Sequence, residues 1–212
     1  VNLADKLAGG IAALGLALDQ SQQVTLLAYL ALLAKWNRVY NLTAVREPER
    51  MLTLHVLDSL AVLPVLDGLP GAARVLDVGS GGGLPGIPLA IARPEWRVTL
   101  LDANQKKASF LRQASTELGL NAQVVQDRID AFPARGSFDL VISRAFADLN
   151  DFLRAALPFA APRGKVAAMK GVHPYEELAQ LAPETPRDPI IERLKVPGLD
   201  AERHLIVFTS RP

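Results

Sequence analysis

The sequence has no cysteine. That excludes a disulfide, a thiolate nucleophile and any cysteine-held zinc or iron–sulfur centre, and it suits a reducing compartment, here expected to be the cytoplasm. Histidine is scarce too, with three residues scattered at His55, His173 and His204, so no metal site is expected. Charge of one sign is also missing: 23 Lys and Arg face 22 Asp and Glu, for a net charge of +1. Bulk electrostatics therefore cannot hold a nucleic acid, and any such binding needs a local basic patch. The longest apolar run, Leu26 to Ala34, falls short of the about 20 residues that span a bilayer, and the opening VNLADKLAGGIAAL lacks a basic segment, long apolar stretch and cleavage site. Neither membrane insertion nor export is expected.

What is present is enough apolar material for a sizeable core: half of the 212 residues are hydrophobic. Residues 1–70 read as a helical cap. Leu3, Leu7, Ile11, Leu14 and Leu18 keep the three-or-four spacing of one amphipathic helix. Asp19 with Gln22 has the form of a capping box opening a second helix, which places Leu26, Leu30 and Leu33 on one face and ends near Tyr40-Asn41. A third helical stretch follows Pro48 and runs to Leu63, where Pro64 kinks or stops it.

Beyond Leu69-Pro70-Gly71 the pattern changes to short β-rich runs alternating with helices. Strands are expected at Arg74–Val78, Arg97–Leu101, Ala122–Gln126, Asp139–Ser143 and Lys165–Lys170. Helices are expected at Gly86–Ala92, Lys106–Leu118, Leu149–Phe159 and Pro174–Leu181. This is the signature of an α/β fold, a doubly wound and mostly parallel sheet covered on both faces, occupying residues 71–212. Ile190–Val196 and Arg203–Thr209 are joined by a turn too short for a helical crossover, so they should close the sheet as an antiparallel hairpin.

The most informative segment runs from Val75 to Pro88. A strand carrying Asp77 leads into Gly79, Gly81 and Gly83, which let the backbone turn sharply and approach a ligand, and then into a helix. Asp102 ends the next strand, where a carboxylate can accept from both hydroxyls of an adenosine ribose. Two cofactors compete for this loop. Gly81-x-Gly83-x-x-Gly86 satisfies the dinucleotide fingerprint of a nicotinamide-dependent oxidoreductase, although Gly81 starts two residues late after the strand. Asp77-x-Gly79-x-Gly81-x-Gly83 resembles the first motif of class I S-adenosylmethionine-dependent methyltransferases, and the closing hairpin agrees with their sheet.

On the methyltransferase reading, absences narrow the acceptor. Methylation at C5 of a pyrimidine generally needs a cysteine nucleophile, and there is none. Ser143-Arg144-Ala145-Phe146 stands where amino-group methyltransferases carry an Asn/Asp-Pro-Pro-aromatic motif, so exocyclic amines are disfavoured. A purine N7 already presents a lone pair and needs no general base, leaving alignment to lower the barrier by about 7–11 kcal/mol.

Four segments together point to one family: Lys35 to Thr43, His55-Val56-Leu57-Asp58-Ser59-Leu60, Asp77 to Pro88 and Ser143 to Phe146. Across nearly its whole length the chain resembles the bacterial 16S ribosomal RNA guanine-N7 methyltransferases, historically the glucose-inhibited division protein B family. The resemblance implies S-adenosylmethionine as cofactor and S-adenosylhomocysteine as product. It also implies guanine 527 as target and the small ribosomal subunit or its assembly intermediate as partner, with the chain acting as a monomer. Gly79, Leu84, Ile129, Asp130 and Arg144 match the family's cofactor-binding positions, with Asp102 at the ribose. Ser80-Gly81-Gly82 replaces the Thr-Gly-Pro of many relatives, and Asp130 stands where a Glu is common. A non-catalytic RNA-binding assembly factor with a vestigial cofactor pocket is the non-enzyme alternative.

Methyl transfer moves positive charge from sulfur to the purine, so a guanidinium beside N7 opposes product formation. Arg144 is therefore expected to contact cofactor, phosphate or O6 alone, unless it only forms a salt bridge to a neighbouring acid such as Asp148. Lys170, before Gly171 at the end of the fifth strand, ranks beside it as a positioning residue, because ligands gather at the carboxyl ends of open parallel sheets. Lys35, Arg38, Tyr40, Asn41 and Arg46 offer cations and stacking rings to an unpaired RNA loop, although Trp36 among them suits the core equally well. Lys106, Lys107 and Arg112 extend this basic rim or merely form a solvated helix face. His55, Asp58 and Ser59 read as a polar cluster that ties the helical half to the sheet.

Overall fold

A computed structural model describes residues 2–144 and 146–212. Ala145, inside the segment Ser143 to Phe146 singled out above, lies outside the described residues.

The chain opens with helix α1 (Leu3–Ala13), which is shorter than its spacing predicts. Gly15 at φ +68° ends it: the Gly15 and Leu16 amides bond back to the carbonyls of Ala12 and Ile11, closing the helix before Leu18. Leu18 is buried all the same, so its apolar character reports burial and not helix. Helix α2 (Gln20–Tyr40) starts at the expected capping box, in which Gln22 N–H donates to Asp19 Oδ1 (2.8 Å) and Asp19 N–H to Gln22 Oε1 (2.9 Å). It stops at Asn41, in the left-handed region.

Helix α3 (Pro48–Met51) widens into a π-helical segment over Leu52–Leu57 and closes with α4 (Asp58–Leu60). The helix ends there, short of Leu63. Pro64 falls in the first turn of a separate 3₁₀ helix, Leu63–Leu66, where its missing N–H forfeits no bond.

Strands β1 (Arg74–Val78) and β2 (Arg97–Leu101) and helix α5 (Gly86–Ala92) have the bounds read from the sequence. They are followed by α6 (Gln105–Glu117), β3 (Ala122–Val125) and β4 (Phe138–Ser143). Next come α7 (Leu149–Ala156), continued as a 3₁₀ turn to Phe159, and β5 (Ala160–Lys170). Helix α8 (Tyr175–Ala179) precedes the hairpin of β6 (Ile190–Arg193) and β7 (His204–Thr209). β5 begins five residues earlier than the apolar run suggests, because its start pairs with β4 through a register shift between Phe138 and Leu140.

The seven strands lie in the order β3-β2-β1-β4-β5-β7-β6, parallel from β3 to β5 and antiparallel at the hairpin. The order reverses between β1 and β4, which opens a crevice at their carboxyl ends. Alternate side chains feed two cores. Val75, Val98, Leu100, Leu140, Ile142, Ala167, Leu205 and Val207 face α5, α6 and the helices before residue 70. Leu76, Leu101, Val141, Val166, Ile206 and Phe208 face α7. Core residues from either side of residue 70 thus form one continuous cluster, and the helices before residue 70 pack on the same face of the sheet as α5 and α6.

Candidate active site

The loop between β1 and α5 is fixed from below by two carboxylates. Asp77 is fully buried, and its Oδ2 accepts the Gly86 amide at 2.9 Å. A Cβ at Gly86 would lie 2.6 Å from that oxygen, so only glycine lets the helix start this close to the strand. Asp77 Oδ1 is buried without a partner among the described residues. Burial pushes the Asp77 carboxyl up to about 7, against the downward pull of the Gly86 amide. Asp102, at the end of β2, accepts the Gly81 amide on Oδ2 and the Asn104 amide on Oδ1, each at 2.8 Å. A carboxylate has about four lone-pair sites, so it can still accept from two hydroxyls while holding the loop.

Gly79 and Ser80 both donate to Leu101 O, at 2.8 and 3.0 Å. Gly83 has φ +86°, and a Cβ there would come within 2.4 Å of Ile87. Leu84 is buried under the turn. The loop is also gripped from above: Tyr29 of α2, fully buried, donates its hydroxyl to Gly82 O at 2.6 Å. Nothing in the sequence marks Tyr29, because its spacing from Leu26, Leu30 and Leu33 is that of any core residue. Ile129 lies half-buried in the loop after β3. Asp130 is exposed and bonds Arg128 Nε at 3.1 Å.

Across the switch point a hollow of about 390 Å³ opens beside Val45, Leu54, His55, Asp58, Arg144, Met169, Lys170, Gly171 and Arg203. Its centre is Asp58, 2% exposed, which accepts Arg203 Nε at 2.9 Å and Arg144 Nη1 at 3.4 Å. The same Arg144 nitrogen donates to Leu54 O at 2.9 Å. Arg144 therefore pairs with Asp58 and not with the neighbouring Asp148, whose carboxylate instead caps α7. Desolvation raises the Asp58 carboxyl while the two guanidiniums pull it down. His55 shares Nε2 with Thr43 Oγ1 at 2.8 Å, and burial, helped by Arg144, lowers it to about 4, so the ring is neutral at pH 7. The expected polar tie between the two halves is thus built from His55 and Asp58, while Ser59 Oγ is buried without a partner among the described residues.

Lys170 is fastened, its ammonium donating to Ala147 O and to Glu177 Oε2, each at 2.8 Å. It shapes the wall of the hollow. Arg203 and Glu177 escaped the sequence reading because both lie in segments without a motif, and only the hairpin and α8 bring them to the cleft.

The basic residues lie at the end of α2, in the segment after it and on α6. Lys35, Arg38, Tyr40, Asn41 and Arg46 are exposed, and Arg46 donates to Asn41 Oδ1 at 3.0 Å. Trp36 is half-buried against Phe110 of α6 (5.6 Å between ring centres), which brings this end of α2 alongside α6. Lys106 and Lys107 occupy the first turn of α6, their amides capped by Asn104, and exposed Arg112 donates to Gln126.

The profile of the family described as rRNA small subunit methyltransferase G matches residues 22–206. Two proteins named ribosomal RNA small subunit methyltransferase G are each 56% identical to the chain. The one from Laribacter hongkongensis matches over the whole of both chains, and the one from Nitrosospira multiformis over 98% of each. A solved methyltransferase from Aquifex aeolicus, described as SAM dependent, shares the fold with a TM-score of 0.59 at 17% identity, over 84% of this chain and 97% of its own. The fold is that of the class I methyltransferases, with their antiparallel closing hairpin. A glycine loop clamped by two carboxylates beside a cation-lined hollow agrees with the sequence matches on both sides of residue 70, and the chain belongs to the rRNA small subunit methyltransferase G family.

Proposed function

We propose that the chain methylates N7 of a guanine in 16S ribosomal RNA, guanine 527 by the family resemblance, using S-adenosylmethionine. The observation that carries this is the juxtaposition of two unlike half-sites at one topological switch point: the clamped loop at β1 and β2, and the hollow at β4 and β5. The residues fit the cofactor. Asp102 retains acceptor capacity for a ribose, Asp77 Oδ1 is a buried acceptor without a partner, and Gly79, Gly81 and Gly83 leave the loop surface free of side chains. Leu84, Ile129 and Asp130 are assigned to the remaining cofactor contacts. When bound, S-adenosylmethionine supplies an electrophilic methyl carbon.

The protein's own residues orient and enclose the acceptor. Arg144, held by Leu54 O and Asp58, stands between the half-sites and contacts cofactor, phosphate or guanine O6. Lys170 shapes the acceptor wall. Buried His55 is neutral and adds no second charge near N7. No side chain is asked to remove a proton, because the N7 lone pair is available at neutral pH. A guanine N7 in an A-form duplex lies in a groove too narrow for side chains, so the target is unpaired or extruded when it enters. Lys35, Arg38, Tyr40, Asn41, Arg46, Lys106, Lys107 and Arg112 form the RNA-facing rim.

Among the described residues no helix is long and apolar enough to cross a membrane. We place the protein in the cytoplasm, acting as a monomer on the small subunit or its assembly intermediate. The test is labelled-methyl transfer to unmethylated small subunits followed by mapping of the modified nucleotide. Label at a guanine N7 supports the reading, and label elsewhere or none rejects it. Reversing Lys35 and Arg38 to Glu is expected to flatten the salt dependence of subunit binding, and unchanged slopes remove both from phosphate contact.

A further inference from the structure

The segment leaving β5 carries a feature that the methyl-transfer reading does not use. Val172 and Tyr175 are 74% and 73% exposed, the most exposed of the large hydrophobic side chains among the described residues. Between them, His173 stacks on the Tyr175 ring, with centroids 3.8 Å apart and planes at 29°. His173 in turn meets His204 of β7 edge-on at 5.3 Å, and His204 Nδ1 is bonded to Gly171 O at 3.0 Å. Three rings therefore form a pile rooted in the sheet. It fixes the plane of the Tyr175 ring, covers one of its faces and leaves the other in water.

Its position identifies what it takes. Gly171, which starts the segment, lines the hollow, and the Arg203 guanidinium lies beside it, 3.9 Å from where a Gly171 Cβ would be. An unpaired guanine that enters the hollow brings its neighbouring nucleotides past this rim. A held aromatic face next to a cation is the arrangement that binds single-stranded RNA, since every base has a π-face and every linkage a charge.

We propose that the His173–Tyr175 pair is a stacking platform for the base next to the target guanine, with Arg203 facing the phosphate between them. This rests on the RNA methyltransferase reading. It names a contact that the basic rim on α2 and α6 does not supply, and it implies that the enzyme reads a single-stranded dinucleotide and not one base.

The test is steady-state methyl transfer to unmethylated small ribosomal subunits by Tyr175→Ala, Tyr175→Leu, Tyr175→Phe and Tyr175→Trp. Because the side chain is exposed, all four variants should fold. Ala and Leu are expected to raise KM about 5- to 30-fold, with kcat and S-adenosylhomocysteine affinity unchanged, while Phe and Trp stay within about 2-fold of the parent. An unchanged KM for Ala overturns the platform. So does a Leu variant as good as Phe, which would assign the surface to an apolar protein contact. Should the parent protein transfer no methyl group, the functional reading fails separately. The platform is then judged by equilibrium binding of the same subunits, in which Ala must still weaken binding and Trp must not.

Discussion

The two halves of the cleft are built on opposite plans. The loop half is local: Asp77, Gly79, Gly81, Gly83, Gly86 and Asp102 lie within 26 residues of chain, and main-chain amides donate to both carboxylates. The hollow is assembled from five distant places, with Val45, the Leu54–Asp58 turn, Arg144, Lys170 and Arg203 joined by side-chain bonds across the fold. A local device can be swapped between chains with its motif. An assembled one exists only once helix, sheet and hairpin have met, and it is there that the proposed function places the acceptor.

The comparison breaks first at Arg144, which belongs to the hollow yet stands at its border with the loop. Arg144→Ala is expected to reduce methyl transfer by about 10²-fold, the scale of a small misplacement of acceptor relative to donor. Stability should fall by about 1–3 kcal/mol, because Leu54 O and buried Asp58 each lose a donor while Asp58 keeps Arg203 Nε at 2.9 Å. Paired activity and denaturation measurements decide. A normal specific activity in the folded fraction would reduce Arg144 to a tie between the halves.

Gly83→Ala attacks the loop half in the same way. The positive φ and the 2.4 Å approach to Ile87 make even a methyl group costly, about 3 kcal/mol of stability, with a loss of S-adenosylhomocysteine binding measured by calorimetry. Normal binding would mean that the loop relaxes without consequence. Tyr29→Phe is a gentler probe, removing only the hydroxyl that holds Gly82 O. A buried carbonyl left without its donor costs about 1–2 kcal/mol, and product affinity should drop about 3-fold. No change in affinity would separate α2 from the loop half.

The same division explains what could be read before the fold was known. Motifs whose parts lie within one turn were legible: the Asp19–Gln22 box, the glycine loop, and the bounds of β1, β2 and α5. Misjudged bounds had local causes outweighed by tertiary ones. Leu18 kept a helical spacing because it is buried, although Gly15 had already ended the helix. The widening at Leu52–Leu57 leaves no mark in a pattern that is apolar on nearly every side. Tyr29, Glu177 and Arg203 were invisible for one shared reason. Tyr29 and Arg203 act on partners more than fifty residues away, and Glu177, seven residues from Lys170, also takes the Leu149 amide from 28 residues away, while each neighbourhood is ordinary core, ordinary helix or ordinary hairpin.

The finest distinction between the halves lies in how each responds to pH. On the loop side, burial raises Asp77 from 3.8 to about 7. A carboxyl raised on folding contributes stability that is full below its unfolded value and lost as pH climbs from about 4 through 7. On the hollow side, burial lowers His55 from 6.5 to about 4. A base lowered on folding contributes stability that is full above 6.5 and lost as pH falls from there toward 4. Across one window the two groups tilt the curve in opposite directions and partly cancel in the parent protein. Asp77→Asn should therefore tilt the curve toward the His55 slope, with stability rising more steeply, or falling less, with pH between 4 and 6.5 than in the parent, the raised Asp58 opposing it in both proteins. His55→Gln should expose the Asp77 slope, with stability falling with pH over 4 to 7. Urea midpoints across this range give the answer, and two variant curves parallel to the parent would show that neither half responds to pH as its burial requires.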